Sequence, residues 1–590
     1  MKHRLTILVA ICGLFISTFS IYDANAASRK PVVGKKGMAV AVEPLATQIA
    51  ADILKKGGNA VDAAVGLGLA LAVTHPSAGN IGGGGFMIIR MADGTAVAVD
   101  YREKAPGKAH ARMYLDEDGN RAVNPNITLT RRDGSTYHPP TNRIHHLAIG
   151  VPGTVAGFAL ALEQYGTMSM AEVIQPAIDL AENGFILTER IARGLNSRTV
   201  IFNQIPASKA AMLRSDGEAW QAGDRWIQKD LAETLRRIAR DGHDGFYKGV
   251  TAELIEKDMK AGGGMIDRTD LANYQAIIRE PVRNKYRGEY EIISMPPPSS
   301  GGITMSLMLN MLEGYDLGRM GHNSSNTLHV MTEAMRRAYA DRARHLGDAD
   351  FVEIPEHLTT KEYAAELRST IDPFFATPSE ELGPELTMPS ESDQTTHYSV
   401  VDQWGNGVSN TYTLEGGYGS HIVIAGTGMI TNNEMGDFNP QPGITRTTGQ
   451  IGTPPNIIEP NKRMLSSMSP TIVTRNGDLY LVVGSPGGRT IINTTMQLIL
   501  NVVDHGMNIQ EAVDAPRVHH QWFPDFLRLE GGVGRETADA LQAKGHELSS
   551  RGFGGGSYRQ GDGHSIMVDP DTGNRLGAPD PRIEGAAFGH

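Results

Sequence analysis

The chain has 590 residues, 40% hydrophobic and 21% charged, with a formal net charge of -11. Such a composition excludes a disordered or fibrous protein and suits a globular one with a large core. At ~150 residues per domain the length admits several domains or one large α/β unit, and the mild acidic balance, without a basic patch, argues against a nucleic-acid partner.

The N-terminus reads as an export signal. Lys2 and Arg4 precede a largely apolar run from Leu5 to Phe19, and Ala24-Asn25-Ala26 offers a small-residue cleavage site. Removal of residues 1–26 is expected. The apolar run falls short of the ~20 residues of a membrane-spanning helix, so no stable anchor is expected after cleavage, and the mature protein should be periplasmic or secreted. Ile11 before Cys12 argues against a lipoprotein signal. Cys12 is the only cysteine and would leave with the signal, which excludes a thiol nucleophile, a disulfide and a CxxC zinc site.

Residues 44–56 predict a helix: Pro44 suits the first turn, Leu45, Ile49 and Ile53 recur at helical spacing, and Gly57 closes it. Asn59 can cap a second helix over 60–73 that is apolar almost all round and therefore buried. The run Asn80 to Ile89, NIGGGGFMII, lacks the features of a phosphate loop; its glycines predict close backbone packing near a site. Residues 155–375 carry mostly helical patterns, with Leu328, Met331, Met335 and Arg342 on one repeat, and read as scaffold. From Thr377 to Gln394 the texture becomes TPSEELGPELTMPSESDQ, an exposed, flexible and cuttable linker. The segment Thr395 to Leu414 then reads as a β-hairpin around Gly405, Asn406 and Gly407.

A threonine thus stands where a cuttable linker meets a strand. Threonine is a poor nucleophile unless a base sits beside it, and a free α-amine on the same residue, with a pKa of ~7.7 to 8.0, can be that base. Cleavage between Gln394 and Thr395, through attack of the Thr395 hydroxyl on the preceding carbonyl and hydrolysis of the resulting ester, would create it. Thr413, on the partner strand, is a candidate supporting hydroxyl, with the register open. Downstream, a strand to Val483, the turn GSPGG and a helix carrying Ile492, Met496, Ile499 and Val503 would offer the backbone N–H groups of Gly487 and Gly488 to an oxyanion. No HExxH is present, and His519-His520 and His243-Asp244-Gly245 are the only suggestive histidines, so neither metal nor cofactor is expected.

Taken together, TTHYSVVD at 395–402, TYTL at 411–414, NNEMGDF at 432–438, PNKRMLSSMSPT at 460–471 and GSPGG at 484–488 resemble the γ-glutamyltransferases, also called γ-glutamyltranspeptidases. NIGGGGFM, DYREKAP at 100–106 and GVPGTVAGF at 150–158 extend the likeness over nearly the whole mature chain. The resemblance implies an N-terminal-nucleophile hydrolase fold, a four-layer αββα sandwich built jointly by a large subunit (27–394) and a small one (395–590) that stay associated. It implies Thr395 as nucleophile, Thr413 as its support and Gly487 and Gly488 as oxyanion hole. Arg102, Ser466 and Ser467 would hold the substrate α-carboxylate, and Glu434 and Asp437 its α-ammonium. A zwitterion needs a guanidinium on one side and carboxylates on the other, and both are present.

Glu415 stands where many relatives have asparagine and would bear on substrate preference. The segment 439–459 has the length of a lid loop, without an aromatic gate residue near Thr448. Expected partners are γ-glutamyl donors such as glutathione, with amino acids or dipeptides as acceptors. Rival readings are a β-lactam side-chain acylase of the same fold, a poly-γ-glutamate depolymerase, and a non-catalytic exported amino-acid-binding protein.

Overall fold

The computed structural model describes residues 29–131, 133–383, 395–442, 453–550 and 557–590. The expected signal peptide, Gln394, the greater part of the linker and Thr448 lie outside the described residues.

Two seven-stranded sheets form the centre. The first runs, edge to edge, Val32–Gly34, Arg575–Ala578, Ser565–Val568, Asp478–Val483, Thr471–Arg475, Tyr290–Ser294 and Val282–Tyr286; the second runs Ala586–Gly589, Met38–Ala41, Thr396–Val401, Gly407–Thr413, Gly84–Arg90, Ala96–Tyr101 and Ile277–Arg279. Neighbouring strands within both are antiparallel. Met38, Val40, Phe86, Ile88, Ile293, Val401, Ile472, Val482 and Ile566 pack between the sheets. Helices Pro44–Lys55, Ala60–Thr74 and Thr154–Tyr165 share a core with the outer face of the second sheet. Gly301–Leu312, Ser325–His345 and Thr490–Val503 do the same for the first. The expected αββα sandwich is what the chain forms.

Local chemistry explains the elements that frame the site. Glu43 caps Pro44–Lys55 by accepting from the amides of Leu45 and Ala46. Asn59 and Asp62 form a capping box on Ala60–Thr74, a helix buried along its whole length, as its unbroken apolar run requires. In the hairpin, Asp402 Oδ1 accepts from the amides of Trp404, Gly405 and Asn406, while its Oδ2 accepts from Ala60 N at 2.9 Å, fastening the turn to a helix end. Hydroxyls join the two sheets where apolar contact gives out: Ser399 donates to His564 O at 2.9 Å, and Ser409 to Val483 O at 2.9 Å.

Two expectations need correction. The region 155–375 is mostly helical but also supplies Val282–Tyr286 and Tyr290–Ser294, a hairpin in the first sheet. Its turn residues, Arg287 (φ 50°) and Gly288 (φ 78°), are left-handed. Likewise the first residues of the supposed exposed linker are anchored. Ser379 is buried, accepts from Arg336 Nη1 at 2.6 Å and donates to Trp522 O at 2.6 Å.

Candidate active site

The pairing of Thr396 with Tyr412 sets the hairpin register, which brings Thr395 opposite Thr413. The Thr395 hydroxyl donates to Thr413 Oγ1 at 3.4 Å, and the same oxygen accepts from Glu415 N at 2.8 Å. Asn80 holds the far side of Thr413. Its Nδ2 donates to the carbonyls of Ala78 and Thr413, each at 2.9 Å, and its Oδ1 accepts from Gly83 N at 2.9 Å and Thr154 Oγ1 at 2.7 Å. The amide's two donors and two acceptor positions are all used. Gly83 is glycine for a steric reason: a Cβ there would sit 2.0 Å from Thr413 O. The glycine run packs backbone against backbone beside the hairpin, as expected from its composition.

One small pocket gathers Arg102, Thr395, Thr413, Glu415, Glu434, Asp437, Ser466, Ser467 and Gly488. Gly487, the remaining described residue of the expected site, lies beside Thr395 in an adjoining cleft. Arg102 follows the strand Ala96–Tyr101 and is fully buried. Its Nη1 pairs with Glu434 and lies 3.6 Å from Glu103, while Nη2 donates to Asp437 at 2.5 Å. Nε donates to Met464 O at 3.3 Å. The guanidinium and the carboxylates therefore stand in contact rather than on opposite sides of the pocket, as the zwitterion argument pictured them.

Among the described residues one guanidinium, that of Arg102, contacts three carboxylates. Burial opposes the charge of Arg102, but Glu434, Asp437 and Glu103 together hold its pKa above the ordinary value. Burial pushes Glu434 well above the carboxylate range; Arg102 opposes that shift, and Glu103, Asp437 and Glu415 add to it. Burial likewise raises Glu103 to about 8, against the pull of Arg102. Arg143 pairs with Glu415, whose backbone is left-handed at φ 72°.

Ser466 and Ser467 line the same pocket, directly after the carbonyls of Met464 and Leu465 that accept from Arg102. Ser466 N donates to Pro298 O at 2.9 Å, and its carbonyl accepts from Ser300 N and Ser300 Oγ. Arg342, on the long helix read as scaffold, donates through Nε to Ser300 Oγ at 2.8 Å and through Nη2 to Ser467 Oγ at 2.9 Å. Gly487 (φ 126°) and Gly488 (φ 56°) lie in the left-handed half of backbone space. Their carbonyls accept from Thr490 N and Ile491 N, which locks the turn, and their own amides donate to no backbone carbonyl among the described residues. Two such amides lie beside Thr395 and ahead of a helix of 14 residues, a position that favours negative charge.

Comparison with known proteins settles the class. The family description Gamma-glutamyltranspeptidase matches residues 46–590. The chain belongs to the γ-glutamyltranspeptidase family. It is 47% identical over 553 residues to a glutathione hydrolase proenzyme of Escherichia coli, covering 94% of this chain and 91% of the relative. Among solved structures, a cephalosporin acylase from Bacillus halodurans superposes with a TM-score of 0.81 at 26% identity, covering 96% of this chain and 98% of its own. A γ-glutamyltranspeptidase of Helicobacter pylori gives 0.54 at 47% identity, covering 58% of this chain and 93% of its own. The sandwich is thus that of the N-terminal-nucleophile hydrolases, and the chain is a γ-glutamyl-transferring and hydrolysing enzyme.

Sequence reasoning missed Asn80, Glu103, Arg143 and Arg342, which hold the site together from behind. Asn80 and Glu103 each carried a signal, lying inside runs already singled out, NIGGGGFM and DYREKAP. Arg342 gave none, because its helix repeats like any core helix. No group of three or more potential metal-binding side chains occurs among the described residues, and none of their helices is long and apolar enough to cross a membrane.

Proposed function

We propose that the chain cleaves itself between Gln394 and Thr395 and then uses Thr395 to open γ-glutamyl amides, glutathione among them, passing the γ-glutamyl group to water or to the amine of an amino acid or dipeptide. The observation that carries this reading is the single pocket joining Thr395 to Arg102, Glu434 and Asp437. Carboxylates at the pocket beside Thr395 suit a substrate that carries a cation, which the α-ammonium of a γ-glutamyl group supplies and a glutaryl group does not. Glu434 and Asp437 receive that ammonium; Arg102, with the Ser466 and Ser467 hydroxyls, receives the α-carboxylate.

With the head held there, the γ-carbonyl reaches Thr395. The freed α-amine of Thr395 takes the hydroxyl proton, Thr413 orients the hydroxyl, and the amides of Gly487 and Gly488 stabilise the tetrahedral oxyanion. The amine leaves protonated and a γ-glutamyl-threonine ester remains. Water or a second amine resolves it, so initial rates against donor at several fixed acceptor concentrations should give parallel double-reciprocal lines. A glutaryl anilide should fall about 100-fold or more below the γ-glutamyl anilide in kcat/KM, because it offers Glu434 and Asp437 no ammonium to hold. Equal turnover of the two anilides would sink the γ-glutamyl reading in favour of an acylase.

A further inference from the structure

Glu415 is a further carboxylate at the pocket that gathers Thr395, Glu434 and Asp437. It is seated directly on the turn Glu434–Asp437: a Cβ built on Gly436 would stand 3.2 Å from Glu415 Oε2 and 3.3 Å from its Oε1. Its charge reaches Glu434, which it helps to push above the carboxylate range. The Glu415 amide donates to Thr413 Oγ1, the hydroxyl that faces Thr395, so its backbone is fixed and only the side chain remains to be aimed. A carboxylate buried in such company needs a cation to stay charged. Arg143 supplies one. The side chain of Glu415 is 3% exposed and that of Arg143 22%, so the pair ties a buried anion to a guanidinium nearer the surface.

The segment that carries Arg143 is built to hold it there. Asn142, its neighbour, lays its carbonyl on the same turn, 3.0 Å from the Cβ position of Gly436, and its Oδ1 accepts from Arg121 Nε at 3.0 Å. Thr141 N donates to Ala122 O at 3.0 Å, and Asn124 Nδ2 donates to Ile144 O at 2.7 Å. Ile127 and Ile144 share a small core of their own with Ile201, and the strands Leu129–Thr130 and Thr136–Tyr137 pair within the segment. An ion pair between two exposed side chains would carry little weight. Here one member is buried against the turn that bears Glu434 and Asp437, and the other comes from a loop packed on that turn.

We propose that Arg143 is a positioning and specificity-determining residue: it holds the Glu415 carboxylate against the Glu434–Asp437 turn and so sets how strongly the pocket prefers a donor that carries an α-ammonium. The inference rests on the γ-glutamyl reading and names the residue that tunes its selectivity. With Arg143 in place, the ammonium enters a site lined by three carboxylates. Without it, burial and the neighbouring Glu434 both favour a protonated Glu415, and a neutral acid attracts an ammonium less. A glutaryl group, which has no ammonium, is indifferent to that change.

The test compares wild type, Arg143→Gln, Arg143→Lys, Glu415→Gln and the double variant on γ-glutamyl and glutaryl anilides. Both donors acylate the same threonine, so the ratio of their kcat/KM values reads head recognition and the fraction of active enzyme cancels. Arg143→Gln should lower that ratio about tenfold, through a higher KM for the γ-glutamyl anilide rather than a lower kcat. Arg143→Lys keeps the cation and should recover most of the loss. Adding Arg143→Gln to Glu415→Gln should change the ratio less than about twofold, because the carboxylate through which Arg143 acts is gone. If Arg143→Gln alone fails to fold, Glu415→Gln must itself lower the ratio about tenfold and the double variant, which strands no charge, must match it. An unchanged or raised ratio in Arg143→Gln, or a fall in kcat shared equally by both donors, overturns the role of Arg143. A wild type that never turns over the γ-glutamyl anilide overturns the γ-glutamyl reading itself.

Discussion

Among the described residues Arg102 touches Glu103, Glu434 and Asp437, and neither Glu103 oxygen has a hydrogen-bond partner there. Arg102→Gln would leave two buried carboxylates, Glu103 and Glu434, without their guanidinium beside the partly exposed Asp437. It should cost about 3–5 kcal/mol in urea unfolding and abolish γ-glutamyl turnover. Glu103 gives the cluster a pH signature. Its carboxyl is raised from 4.5 to about 8, so the folded chain keeps a proton that the unfolded chain has released. The stability this group contributes is complete below 4.5 and is lost as pH rises toward about 8. Urea unfolding of Glu103→Gln between those limits should therefore show a flatter pH dependence than wild type; an unchanged slope would place the titration elsewhere. At this scale the groups that face substrate were legible as motifs, whereas their contacts were not. Arg102 and Glu434 are 332 positions apart, and no local pattern announces that pairing.

The hairpin and the glycine turn are the elements that bring the proposed nucleophile and the proposed oxyanion donors together. Asn80→Ala would remove the side-chain partner of Thr413 O and of Gly83 N at once, at about 1–3 kcal/mol for a buried donor left unsatisfied. The expected result is a fall in kcat larger than any rise in KM, since the substrate head is bound elsewhere. Gly487→Ala meets two obstacles, a φ of 126° and a Cβ placed 2.4 Å from Thr490 Oγ1. The turn must reset, and kcat should fall about 10²–10³-fold, the cost of losing one oxyanion donor. The helices Pro44–Lys55 and Ala60–Thr74 and the hairpin were readable because caps, apolar periodicity and turn residues agreed there. The strands Val282–Tyr286 and Tyr290–Ser294 were not. Val282–Tyr286 is an edge strand whose alternate positions Arg283 and Lys285 face solvent, and an Arg-Gly pair makes its turn in place of the usual Asn-Gly. Surrounded by helices, five residues with two exposed cations gave no run that stood out.

Across the whole molecule, segments before and after Thr395 both contribute strands to each of the two large sheets. Thr396–Val401 pairs with Met38–Ala41, Gly407–Thr413 with Gly84–Arg90, and Tyr290–Ser294 with Thr471–Arg475. A break at 394/395 would thus leave two pieces sharing backbone ladders and an apolar core. They should co-elute on gel filtration in high salt and separate only in denaturant, because screening weakens exposed ion pairs and leaves buried ladders and apolar contacts in place. The four-layer arrangement was legible only through resemblance; composition and periodicity indicated helices and strands without their order in the sheets. The most direct test of the nucleophile is to run wild type and Thr395→Ala on a denaturing gel and sequence the N-terminus of every band. The mechanism predicts two wild-type fragments, the smaller beginning Thr395-Thr396-His397, and an uncut variant. A wild type that stays whole while it turns over a γ-glutamyl donor, or a variant that still splits at 394/395, would contradict it.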